Sequence, residues 1–76
     1  MRTELQQLTE VQAEQLTLLY ERFGEAQEAV ARILWHGYNS TRKQGGPTNQ
    51  KTLKKELEDV KSAISLLEKD LSVGVA

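Results

Sequence analysis

Leu53-Lys-Lys-Glu-Leu57-Glu-Asp-Val60-Lys-Ser-Ala-Ile64-Ser-Leu-Leu67-Glu-Lys-Asp-Leu71 repeats an apolar residue at steps of four and three. A step that averages three and a half residues keeps those side chains on one side of an α-helix, so the stretch predicts a helix with one continuous seam. Pro47 just before it cannot continue a preceding helix, and Thr48 is the expected N-cap, which sets the helix at about residues 48–71. The uncharged tail 72–76, with Gly74 inside it, is expected to fray.

Upstream of this helix, Gly37 to Pro47 gathers glycine, proline, asparagine and serine, the signature of a loop. Before that loop lies a proline-free stretch from about residue 3 to 36, in which Leu16, Leu19, Phe23, Ala26, Val30 and Ile33 follow helical spacing. Leu5, Leu8 and Val11 fall out of register with that seam. Thr3 with Gln6, or Thr9 with Gln12, can form a capping box, so the start has two candidates. Gly37 is the expected C-terminal stop. The fold class is therefore all-α: two long helices in an αα-hairpin, one domain of 76 residues.

Such a hairpin has little to bury. Hydrophobic residues make up 38% of the chain and aromatic ones only 5%, which is too little for a self-sufficient core at this length. We expect hairpins to meet as a four-helix or larger bundle, a homo-oligomer. The chain has no cysteine, which excludes disulfides, thiolate metal sites and cysteine nucleophiles. It also has no apolar run of membrane-spanning length and no signal-peptide core at its start, so a cytoplasmic protein is expected.

Charge is unevenly spread although the net value is −1. Glu4, Glu10, Glu14, Glu21, Glu25 and Glu28 crowd the first part of the chain. From Ala29 to Lys55 there is no acid, while Arg32, Arg42, Lys43, Lys51, Lys54 and Lys55 accumulate. A cationic block of this kind attracts anions locally, or is a solvated surface. Glu56 and Asp59 fall on the flank of the second helix's seam beside Ala63 and Leu66, where they should be partly buried. Two carboxylates one turn apart at such a place need a cation, either a metal ion or basic side chains. Glu21, Glu25 and Glu28 share a face of the first helix opposite its seam, with Arg32 placed to pair with Glu28.

The stretch from Leu18 to Gly37, with the polar loop, Pro47-Thr-Asn49 and Lys55-Glu-Leu-Glu-Asp59-Val after it, resembles the small phage-type members of the MazG-like nucleotide pyrophosphohydrolase family. The resemblance covers roughly residues 18–68. It implies an all-α bundle that cleaves nucleoside triphosphates using Mg²⁺ held by E-E-x-x-E on one helix and E-x-x-D on the next. Carried over, Glu21 and Glu25 match the first and third glutamates, and Glu56 and Asp59 match the second motif. Arg22 stands where the family has a second carboxylate and so sets a permanent cation against the metal. An alternative register uses Glu25 and Glu28 with Glu56 and Asp59.

With Arg22 in that place, the resemblance implies a phage-encoded protein that binds and sequesters a nucleotide or a nucleotide signal of host defence, in a site between protomers. Candidate nucleotide-binding residues are Arg22, Trp35, His36, Tyr38, Asn39, Arg42, Lys43, Asn49, Lys51 and Lys55. They offer aromatic planes, hydrogen bonds, phosphate-pairing cations and the N-terminal end of the second helix. Trp35 and Tyr38 can equally cap the end of the bundle. An active Mg²⁺-dependent pyrophosphohydrolase and a plain helical interaction module are the alternatives. DNA binding is not expected, because the cations surround a loop and no recognition helix is evident.

Overall fold

The structure, a computed structural model, describes residues 8–74. It is a hairpin of two helices, α1 from Glu10–His36 and α2 from Asn49–Gly74, packed against each other along their length. Among the described residues, no helix is long and apolar enough to cross a membrane.

Local chemistry sets the helix ends. Of the two candidate starts for α1, the structure has Thr9. Its hydroxyl accepts from the Gln12 backbone N–H at 3.0 Å, and its own N–H donates to Gln12 Oε1 at 2.9 Å. Both bonds satisfy donors that an N-terminal turn leaves free. The expected start near residue 3 lies outside the described residues; Leu8 and Thr9 precede the helix. At the other end Gly37 takes φ +86°, which a side chain would resist, and donates its N–H to Ile33 O at 2.7 Å. Thr48 caps α2, its Oγ1 accepting from Lys51 N at 3.2 Å. The α2 helix then runs on to Gly74, so residues 72–74, expected to fray, are helical. Nothing between Leu71 and Gly74 breaks a helix until the glycine itself.

The loop is closed at its base. Thr41 and Thr48 form an isolated antiparallel bridge, Asn49 N donates to Ser40 O at 2.7 Å, and Gln50 N donates to Tyr38 O at 2.9 Å. Asn49, buried at the head of α2, donates its side-chain amide to Gly37 O at 3.0 Å and so ties the end of one helix to the start of the next.

The packed seam is thin. Ala29, Val60 and Ala63 are the buried apolar residues, and no large side chain is fully buried. Leu19, Ala26 and Ile33 of the predicted α1 seam are half-buried, but Leu16, Phe23 and Val30 are exposed. The side of α1 that meets α2 is rotated from the predicted seam and also carries Leu18, Arg22 and Ala29. The reason is size: Ala26, Ala29 and Ala63 let the two backbones approach, whereas Phe23 in their place would hold them apart.

Candidate functional site

On one flank of the hairpin the charged side chains interleave. Arg22 extends from α1 toward α2, its Nη1 lying 3.0 Å from Glu25 Oε1 and 3.9 Å from Asp59 Oδ2. Lys55 reaches back along α2, with Nζ 3.0 Å from Asp59 Oδ2 and 3.7 Å from Glu56 Oε1. Glu56 and Asp59 are partly buried as their position on the helix predicts, with side chains 14% and 28% exposed. Three carboxylates are therefore matched by two cations, and basic side chains supply the charge that the E-x-x-D pair requires.

This arrangement holds both cations in their charged form. The hydrogen bond to Glu25 raises the Arg22 pKa above its ordinary value, and the charge of Asp59 adds to it. The hydrogen bond to Asp59 likewise raises Lys55, with the charges of Asp59 and Glu56 contributing in turn.

The same geometry bears on the Mg²⁺ ligands that the resemblance implied. Glu25, Glu56 and Asp59 converge on this flank, but the Arg22 guanidinium and the Lys55 ammonium stand among them. Among the described residues, no group of three or more potential ligands is placed to hold a metal ion. Glu21 lines a neighbouring groove with Leu18, Arg22, Gly24, Glu25 and Glu28, all of them on α1. As arranged, these residues do not fit Mg²⁺, because a small dication needs several oxygens converging on one point with no cation between them.

Beside this cluster and under the loop is an open cleft of about 450 Å³. Glu25, Glu28 and Ala29 of α1 form one wall, Thr52 and Glu56 of α2 the other, and Arg42, Lys43 and Pro47 the roof. Arg42 pairs with Glu28, fourteen residues away, in place of the predicted Glu28–Arg32 pair. Arg32 is half-buried with its Nε unpartnered. Arg42 and Lys43 of the predicted nucleotide-binding set thus reach the cleft, and Arg22 and Lys55 border it through Glu25 and Glu56.

No protein family, curated protein or solved structure matches the chain. The remaining candidates must be read from their own positions. Trp35 is 82% exposed and Tyr38 is exposed as well, and neither lines the cleft. His36, whose carbonyl accepts from Ser40 Oγ at 2.6 Å, and Asn39 belong to the turn that leaves α1. Lys51 is exposed in the first turn of α2. Asn49 is buried at the head of α2, and its side-chain amide donates to Gly37 O rather than lining the cleft. Thr52 and Glu28 were not expected to line one cleft. Thr52 lies one turn before Glu56 on the same face of α2, and that spacing is the signal that finds it.

Proposed function

We propose that the chain is a small MazG-like helical protein of the host cytoplasm, phage-encoded, that assembles as a homo-oligomer and binds a nucleotide or nucleotide-derived ligand without cleaving it. The observation that carries this reading is the cleft roofed by Arg42 and Lys43, whose acidic walls already have side-chain partners. A cleft of this volume suits a small molecule. A phosphate entering it competes with Glu28 for the Arg42 guanidinium, an exchange of one charged partner for another of the same geometry. Pro47 and Ala29 provide apolar surface beside the cations for a sugar or base. The cleft's lining comes from both helices and the loop of one chain. Loss of hydrolysis follows from Arg22 and Lys55, which occupy the space between the carboxylates that resemble metal ligands.

The convergence of Glu25, Glu56 and Asp59 favours a second reading, a Mg²⁺-dependent nucleoside triphosphate pyrophosphohydrolase. It requires both cations to leave the cluster.

One experiment separates the two. Calorimetric titration of the purified chain with a panel of mono-, di-, tri- and cyclic nucleotides, with and without chelator, should show binding that survives chelation, weakens at least about tenfold in Arg42→Ala with Lys43→Ala, and returns the nucleotide intact. Release of pyrophosphate that needs Mg²⁺ and is lost in Glu56→Ala would establish the enzyme instead. A panel with no binder would end both readings.

A further inference from the structure

The flank opposite the ion pairs is different in kind. Because Arg22 meets Asp59 on the charged side, the opposite edges of α1 and α2 must share the other side. On α1 that edge carries Leu16, Tyr20, Phe23, Val30 and Leu34, all exposed, with Tyr20 at 80% and Leu34 at 81%. Gln12 and Gln27 fill the remaining places in the row, and no charged residue interrupts it. The row lies roughly a third of a turn round the helix from the buried seam. On α2 the matching edge carries Leu57 and Leu71, both exposed, beside half-buried Leu53 and Ile64, with exposed Lys61 and Glu68 between them in the same row.

A whole aromatic side chain offers roughly 150–250 Å² and an aliphatic one somewhat less, so at these partial exposures the two rows together leave on the order of 600 Å² of apolar surface open on this side. Monomers rarely carry a continuous patch of more than about 300–600 Å². About 800 Å² is what each partner contributes to an interface of standard size, and about 600 Å² is the lower end of that class.

We propose that a second copy of this chain docks on this face, so that the Leu16–Leu34 and Leu57–Leu71 edges of two hairpins close as an isologous four-helix dimer with the charged cleft of each copy facing outward. This sharpens the homo-oligomer part of the reading above by naming the face. Charge complementarity points to a copy of itself as the occupant. In a two-fold dimer each patch meets its own equal, and a patch with charges of one sign sets like against like; the α1 row has none, and the α2 edge carries one of each sign, Lys61 and Glu68. The opposite flank, with Glu21, Glu25 and Glu28 along one helix edge, would juxtapose like charges. The thin seam of the single hairpin supplies the driving force, since the association covers the large side chains that the protomer leaves in water.

The test uses the full chain. Sedimentation equilibrium at micromolar concentration should give a dimer or a multiple of it, and Phe23→Glu should raise the dissociation constant about 100-fold. The chain has no cysteine, so introduced thiols report without background. Gln27→Cys, a mild change in the middle of the α1 row, should be captured as a covalent dimer by a short bismaleimide, and Glu21→Cys on the charged flank should not. A monomer at every concentration would overturn both the oligomer and this face, leaving the surface to the chain's own terminal residues or to another protein. An oligomer captured through Glu21→Cys but not Gln27→Cys would overturn the face alone.

Discussion

The two long sides of this hairpin are made from the same two helices yet obey different physics. On the apolar side, Leu16, Tyr20, Phe23, Val30 and Leu34 of α1 and Leu57 and Leu71 of α2 are left exposed, so what they are worth depends on what covers them. On the charged side, Arg22, Glu25, Lys55, Glu56 and Asp59 satisfy one another inside the protomer. Exposed ion pairs contribute little to stability, so the charged side shapes what the protein attracts far more than whether it folds. In the proposed dimer the apolar side governs folding and assembly.

The comparison can be broken most directly by putting a charge on the wrong side. Leu57→Asp should lower stability against urea, measured at about 10 µM protein, by about 2–4 kcal/mol, and the loss should shrink on dilution as association ceases to contribute. Glu28→Ser, at an exposed position on the other side, should stay within about 0.5 kcal/mol. Equal effects would show that the two sides do not differ in the way described.

A smaller effect sharpens the account of the charged side. Arg22→Gln removes the cation that stands between Glu25 and Asp59 while keeping a polar side chain of similar reach. The variant should gain a weak Mn²⁺ or Mg²⁺ site, with a dissociation constant on the order of 1 mM, where the parent chain shows none by calorimetry. No gain would mean that Lys55 and the helix spacing, rather than Arg22, keep the carboxylates from converging on an ion.

The smallest effect is in pH. Lys55 has its folded pKa raised by Asp59, so its stabilising contribution is fully present below the ordinary lysine pKa and is lost as pH rises through the folded value. The stability difference between the parent chain and Lys55→Gln should therefore hold through neutral pH and fade in the alkaline range above about pH 10. A difference that fades between pH 4 and 7 would implicate the carboxylates.

Much of the hairpin was legible in the sequence because its signals are local. The heptad from Leu53 to Leu71, the Thr9–Gln12 box, Gly37 and Thr48 each act within one or two turns, and each ends or builds a helix where its chemistry requires. Register between the helices was not legible. Leu16, Phe23 and Val30 dominate any hydrophobic pattern in α1, whereas Ala26 and Ala29, which carry weaker signals, make the approach to α2. The hairpin leaves Leu16, Phe23 and Val30 exposed.

The candidate site was legible in its ingredients and less so in its pairings. Glu56 and Asp59 lie on the flank, as spacing implied, and Arg22 meets Glu25 one turn away. Arg42 meeting Glu28, and Arg22 meeting Asp59, depend on how the loop folds back and how the helices are phased, which no short spacing encodes. Asn49 shows the same limit. A polar residue at a helix start reads as a ligand group, and only its bond to Gly37 O reveals that it is a hinge pin.

The bridge between Thr41 and Thr48 has one more consequence. Because it pinches the connection at its neck, residues 42–47 hang as a closed tip whose length and composition are decoupled from the phase of the two rods. Segments lengthened, shortened or exchanged between Arg42 and Pro47 should leave the scaffold in place while redrawing the lip of the cleft, which makes this tip the natural position for grafting a different ligand preference onto the same hairpin.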